Sequence, residues 1–135
     1  MVMGGKKTQY HCRIERSDDM LNHVVLMKFK PGVSEADIDN LEQTLDDLPN
    51  TIVEIQMYEF GRDILHTARS YDFALVSLFA NQEALQRYQK HAAHMAVGSR
   101  LKELCAQIVT VDFLGTDAAD LKSKTPLDSL LKDDI

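Results

Sequence analysis

Two predicted strands that are apolar on both faces constrain the fold of this chain more than any other feature. The first covers residues 22–30, where His23, Val25, Met27 and Phe29 alternate with Val24, Leu26 and Lys28. The second covers residues 71–80, where Phe73, Leu75 and Phe79 alternate with Ala74, Val76 and Leu78. Because the free energy falls when apolar side chains leave water, both faces of such strands need to be covered by other parts of the protein.

The segments around these strands predict two helices and two further strands. Ser34 is a good N-cap, with Asp37 three residues later, for a helix over residues 35–48 that ends at Pro49-Asn50. Asn81 is a good N-cap for a second helix, on which Leu85 and Tyr88 share a face. The remaining strands are predicted over residues 51–60 and 108–114, with an irregular segment or broken helix over residues 91–98.

The resulting order, β-α-β-β-α-β, predicts an α+β, ferredoxin-like fold with a four-stranded antiparallel sheet. Two helices can cover only one face of that sheet. We therefore expect the other face to pack against a second copy of the chain, giving a homodimer that pairs as a dimeric α+β barrel.

Composition narrows the functional class. The chain has 135 residues and a net charge of −6, which disfavours nucleic acid as a partner. It has no apolar run long enough to span a membrane and no secretory pattern near its start. The two scattered cysteines, Cys12 and Cys105, are typical of a reduced protein, so we expect a cytoplasmic location.

We predict one domain over residues 20–114 between two tails. Residues 1–19 are polar and are predicted to be a flexible extension, with Met20 as an alternative start. Residues 115–135 form an acidic tail. That tail is either mostly solvated or carries a short helix over residues 126–133, which Pro126 at the first helical position would favour.

Four segments together resemble the stress-responsive A/B barrel domain (Dabb) family of the dimeric α+β barrel superfamily. They are residues 21–30, the Gly61-Arg62-Asp63 turn, residues 71–76, and the run from Tyr88 through His91 to His94. The resemblance implies a dimeric α+β barrel. It also implies a mixed functional range, because the family includes stress-related plant proteins without a defined reaction and a polyketide cyclase that performs an intramolecular aldol condensation.

The resemblance carries the cyclase's catalytic pair onto Tyr88 and His94 and its pocket histidine onto His23. Phe73 stands where the cyclase has a further histidine, Ala92 replaces the family's usual proline, and the positions of two pocket aromatics are Val97 and Cys105. A polyketide substrate of the same shape is therefore not implied.

The residue types at these positions suit cofactor-independent enolisation, aldol or lyase chemistry. A neutral His94 could take a proton from a carbon next to a carbonyl, while Tyr88 donates a hydrogen bond to the enolate oxygen and His23 orients either partner. We predict a pocket for a small apolar or carbonyl-containing ligand between the sheet and the helices. Its predicted lining is Val25, Met27, Leu41, Leu45, Phe73, Leu85, Val97 and Cys105.

Three alternatives to this enzyme are considered, and two of them are disfavoured by the sequence. Tyr88, His94 and His23 could be core residues with satisfied hydrogen bonds in a non-catalytic, stress-related or ligand-binding dimer. A metal site built from His91, His94 and His23 is disfavoured, because no acidic or thiol ligand falls at a recognisable spacing. Redox chemistry at Cys105 is disfavoured by its apolar surroundings.

Overall fold

The computed structural model describes residues 20–115, which form one four-stranded sheet and three helices. The elements are β1 (Leu21–Phe29), α1 (Glu35–Thr51), β2 (Met57–Arg62), β3 (Phe73–Phe79), α2 (Gln82–Lys90), α3 (Ala92–Leu104) and β4 (Cys105–Leu114). The predicted extension over residues 1–19 and the predicted helix over residues 126–133 lie outside the described residues.

The strands lie in the order β2-β3-β1-β4, and every neighbouring pair is antiparallel. The two central strands are therefore the two that the sequence marks as apolar on both faces. This arrangement confirms the predicted ferredoxin-like fold. None of the helices within residues 20–115 combines the length and the apolar character needed to cross a bilayer.

One face of the sheet carries the helices and the hydrophobic core. On β1, Leu21, His23, Val25 and Met27 are buried toward this side, whereas the residues between them are only half-buried. Leu41, Leu45 and Leu48 of α1 pack against the same core. The residues of β3 that pair with this set, including Phe73, Leu75 and Phe79, are buried with them.

The opposite face of the sheet, which we call the outer face, is also apolar. Val24 lies in register between Val76 on β3 and Val111 on β4, and Asn22 lies beside Phe113. Val111 is 59% exposed and Phe113 is 45% exposed. Within the described part of the chain, this face has no helical cover.

Helix α1 runs further than the sequence predicts. Pro49 was expected to end the helix but lies inside it, and Ile52 donates its backbone N–H to the Leu48 carbonyl at 2.9 Å. The side chain of Ile52 is fully buried, so packing of the last turn outweighs the loss of one backbone donor at the proline. The predicted strand over residues 51–60 is correspondingly wrong at its start, because β2 begins at Met57 and continues through Arg62.

The segment after α2 is more regular than predicted. His91 is both the C-cap of α2 and the N-cap of α3, so only one residue interrupts helical structure between Gln82 and Leu104. Its ring Nδ1 accepts the N–H of Ala93 at 3.0 Å, which satisfies one of the free donors at the start of α3. The structure therefore has three helices, where two helices and either an irregular segment or a broken helix were expected.

Candidate active site

A cavity of about 230 Å³ lies between the sheet and the three helices. It is somewhat smaller than the roughly 300–1,000 Å³ of sites for drug-sized ligands, so it suits a smaller molecule. Its exposed lining residues are Gln89, Lys102, Ile108 and Thr110, which place its opening between α2, α3 and β4. The full lining is His23, Val25, Met27, Leu45, Tyr58, Leu75, Tyr88, Gln89, His94, Val97, Gly98, Leu101, Lys102, Ile108 and Thr110.

The three residues predicted to carry chemistry all line this cavity. Tyr88 comes from α2, His94 from the first turn of α3 and His23 from β1. The ring centroid of Tyr88 lies 4.3 Å from that of His94 and 6.3 Å from that of His23. The short break at His91 brings His94 and Tyr88 together, because it lets α3 start close to the end of α2.

His94 has a fixed tautomer and a lowered proton affinity. Its Nδ1 lies 3.2 Å from the carbonyl oxygen of Gln89, and since a carbonyl can only accept, Nδ1 carries the hydrogen. The neutral ring therefore has its lone pair at Nε2. Burial lowers the pKa of His94 below its usual value, the hydrogen bond to Gln89 opposes that shift, and the nearby His23 adds to it. A neutral imidazole with a free Nε2 is suited to accept a proton.

Tyr88 is held as a neutral hydrogen-bond donor. Its side chain is 1% exposed, and burial raises its pKa to about 12, against an opposing effect of the hydrogen bond with Tyr58. The two hydroxyl oxygens lie 2.6 Å apart. Tyr58 was not predicted from the sequence, yet it also lines the cavity.

His23 is paired with Asp112, which, like Tyr58, was not predicted from the sequence. The two lie opposite each other on β1 and β4, and the Nδ1 of His23 contacts a carboxylate oxygen of Asp112. A carboxylate in this position accepts the Nδ1 hydrogen and fixes the ring orientation. His23 is 6% exposed, so the pairing also satisfies a buried polar group.

The predicted wall of the cavity is only partly the observed one. Val25, Met27, Leu45 and Val97 line the cavity. The other four predicted lining residues, Leu41, Phe73, Leu85 and Cys105, belong to the surrounding hydrophobic core. None of these four residues lines the cavity. For Cys105, burial raises the thiol pKa, which disfavours the reactive thiolate.

The histidines do not assemble a metal site in the part of the chain that is described. His91 is absent from the cavity wall, and its Nδ1 is engaged by the Ala93 N–H. Across residues 20–115, no three His, Cys, Asp or Glu side chains are grouped closely enough to hold an ion.

Comparison with known proteins identifies the family. The sequence model described as "Stress responsive A/B Barrel Domain" (Dabb) matches residues 21–114. The chain belongs to this family. The resemblance seen in the sequence motifs is thereby confirmed.

The relatives of this Dabb protein differ in what is known of them. The stress-response A/B barrel domain-containing protein HS1 of Arabidopsis thaliana is 26% identical over 110 residues, which span 78% of this chain and 99% of HS1. Olivetolic acid cyclase of Cannabis sativa is 23% identical over 95 residues, or 69% of this chain and 94% of the cyclase. A dimeric ferredoxin-like protein of unknown function from Thermobifida fusca superposes with a TM-score of 0.69 at 26% identity, covering 76% of this chain and 97% of its own.

Proposed function

We propose that this Dabb protein is a cofactor-independent enzyme that removes a proton from a carbon next to a carbonyl, with His94 as the base and Tyr88 as the hydrogen-bond donor. The observation that carries this proposal is the convergence of His94, Tyr88 and His23 on one cavity. The substrate class is a small carbonyl compound with an apolar portion, because seven of the fifteen residues of the cavity wall are aliphatic or methionine.

The reaction needs only groups that the cavity contains. The Nε2 of His94 takes the proton, and the electrons of the broken C–H bond form a carbon–carbon double bond while the carbonyl oxygen becomes an enolate oxygen. Tyr88 donates its O–H to that oxygen, where charge develops. In an aldol step, the enolate carbon then bonds to a second carbonyl carbon of the same molecule, and the new alkoxide recovers the proton from His94. A lyase step is the reverse of this aldol step: His94 takes the proton of a hydroxyl group, the carbon–carbon bond breaks to give a carbonyl and an enolate, and the enolate carbon takes the proton back from His94.

The distant similarity to a cyclase supports this reaction class without fixing the substrate. Olivetolic acid cyclase is named for a cyclisation, and the matched positions of the Tyr–His–His segment here are Tyr88, His91 and His94. Phe73 is buried in the core rather than in the cavity wall, so it contributes no chemistry to the cavity.

Solvent exchange tests the proton-transfer step without a known substrate. Simple ketones such as cyclohexanone, together with 3-oxo esters and 3-oxo thioesters, would be incubated with the protein in D2O, and loss of the α-proton signal would be followed by NMR. We expect exchange above the buffer rate for at least one compound. His94→Gln should lower the protein-catalysed rate by about a hundredfold or more, and Tyr88→Phe by roughly a hundredfold.

The matched control is His91→Asn, which changes a histidine of the same segment that does not line the cavity. Asparagine is also a favoured N-cap, so the start of α3 should be retained. Wild-type exchange rates in His94→Gln, or no exchange by the wild-type protein above buffer for the whole panel, would contradict the proposal.

A non-catalytic binding role is the second candidate, and the apolar character of the cavity favours it. Seven of the lining residues are aliphatic or methionine, namely Val25, Met27, Leu45, Leu75, Val97, Leu101 and Ile108. Such a wall can retain a small apolar molecule through burial alone. Saturable binding of the same carbonyl compounds, with no exchange of their α-protons, would establish this role instead.

We also propose that the chain forms a homodimer through the outer face of its sheet. Val24, Val76 and Val111 form a row across three strands of this face, and the related Thermobifida fusca protein is a dimer. Pairing two such faces would remove the exposed parts of Val111 and Phe113 from water.

A further inference from the structure

Tyr58 has no role in the reaction derived above, although its hydroxyl is the nearest polar group to that of Tyr88. It projects from β2 on the helix-covered side of the sheet, opposite the buried Ser77 of β3. Its hydroxyl oxygen lies 2.6 Å from the hydroxyl oxygen of Tyr88, and both residues line the cavity. Two phenols from different elements thus meet inside the candidate site.

A ligand oxygen decides the direction of this hydrogen bond. Two hydrogen-bonded hydroxyls share one hydrogen, and without a ligand either phenol can be the donor. When a ligand oxygen accepts the hydrogen of Tyr88, the Tyr88 oxygen can only accept within the pair, so Tyr58 is then the donor. Burial raises the pKa of both phenols, so both hydroxyls keep their hydrogens at neutral pH.

We propose that Tyr58 is a positioning residue that strengthens Tyr88 as a donor, so that the two phenols form a relay that stabilises an oxyanion bound in the cavity. The relevant ligands are enolates and their stable analogues, the phenolates; the catalytic reading of this relay rests on the proposed function. No covalent bond changes in the relay. As negative charge grows on the ligand oxygen, Tyr88 donates to it more strongly, and the Tyr58 hydroxyl polarises Tyr88 through the shared bond.

Contacts between aromatic rings hold Tyr58 in place. Its ring lies edge-on to that of Tyr88, with centroids 6.2 Å apart. Two residues along the same face of β2, the ring of Phe60 stacks on that of Phe73. The Tyr58 side chain is thus fixed by packing, and replacing its hydroxyl by hydrogen should leave this packing intact.

Binding of p-nitrophenol tests the relay directly, because the absorption spectrum reports whether the bound phenol is ionised. At a pH close to the pKa of the free phenol, we expect the wild-type protein to shift bound p-nitrophenol toward the phenolate. In Tyr58→Phe the ionised fraction should fall, and the affinity for the phenolate should weaken about three- to tenfold. Tyr71→Phe is the matched control, since Tyr71 does not line the cavity, and it should behave as wild type.

A purely structural Tyr58 would lower the melting temperature without changing the ionisation of the bound phenol. Placing a fluorotyrosine at position 58, whose ring fluorine makes its hydroxyl a stronger donor, should tighten phenolate binding and so change the affinity in the opposite direction. Unchanged ionisation and affinity in both Tyr58 variants would overturn the relay, as would failure of the wild-type protein to bind the phenolate at all.

The relay and the proposed reaction can fail independently of each other. If Tyr88→Phe and His94→Gln abolish α-proton exchange while Tyr58→Phe binds phenolate like the wild-type protein, only the relay is wrong. If Tyr58→Phe weakens phenolate binding while no carbonyl compound is exchanged, the relay stands as part of a binding site and the catalytic proposal fails.

Discussion

The protonation state of His94 sets the pH range in which the proposed chemistry can work. Burial lowers the pKa of His94 below its usual value of 6.5, so the ring is neutral at pH 7 and still accepts a proton there. The rate constant for exchange at low substrate concentration should therefore be constant through neutral pH and fall only below pH 6.5, as the base becomes protonated. A pH–rate profile of the wild-type protein measures this directly.

The lowered pKa of His94 also makes the free energy of unfolding depend on pH. As the pH falls below 6.5, the unfolded chain takes up a proton at His94 before the folded chain does, so the free energy of unfolding decreases. His94→Gln should show a weaker decrease over that range in urea unfolding. An apparent pKa above 6.5 in the rate profile would contradict the assignment of His94 as a buried neutral base.

At the scale of single residues, three of the five histidine, tyrosine and aspartate side chains at the candidate site were predicted from the sequence. Tyr88, His94 and His23 were assigned through the resemblance to the Dabb family, because they lie in motifs that can be recognised from neighbouring residues. Tyr58 lies 30 residues from Tyr88, and Asp112 lies 89 residues from His23. These pairings depend on strand register, which the alternating pattern of each strand does not specify by itself.

At the scale of elements, the junction between α2 and α3 depends on His91. Its Nδ1 accepts the Ala93 N–H, an N-cap role that His91→Ala removes. We expect this substitution to lower the free energy of unfolding by about 1 kcal/mol, and His91→Asn to retain most of the stability because asparagine is a good N-cap. Urea unfolding of the two variants beside the wild-type protein is the measurement.

Equal stability of the alanine and asparagine variants would show that the His91 ring does not stabilise the start of α3. Neither variant removes a residue of the cavity wall. Phenolate binding should therefore persist in both, which separates a loss of stability from a loss of the site.

The sequence predicted the types and order of the elements better than their ends. The capping box of Ser34 and Asp37 and the N-cap Asn81 are both confirmed, because these signals depend on a few neighbouring residues. The end of α1 was wrong, since local chemistry at Pro49 is outweighed by burial of Ile52 in the tertiary core. As a result, β2 begins at Met57 rather than at the predicted residue 51.

At the scale of the whole molecule, the two faces of the sheet bear different features. One face and the helices enclose the cavity. The outer face bears the apolar row of Val24, Val76 and Val111. The candidate chemistry and the proposed association are thus placed on opposite sides of the same strands.

This separation makes dimer formation testable apart from the site. Val111→Asp places a carboxylate in the proposed interface, and burying it there costs on the order of several kcal/mol. The cost applies twice, because a two-fold axis presents the same residue from both copies. We expect the wild-type protein to show the mass of a dimer in size-exclusion chromatography with light scattering, and Val111→Asp to show that of a monomer.

Val53→Asp is the matched control, since Val53 is 83% exposed and precedes β2 rather than lying on the outer face; it should remain dimeric. A monomeric wild-type protein, or a Val111→Asp variant that stays dimeric, would contradict association through the outer face.

A monomeric variant that still binds p-nitrophenol would show that the cavity is complete within one chain. Loss of that binding together with the dimer, in a variant that remains folded by circular dichroism, would mean that pairing of the sheets holds His23 and Asp112 in place from the opposite face.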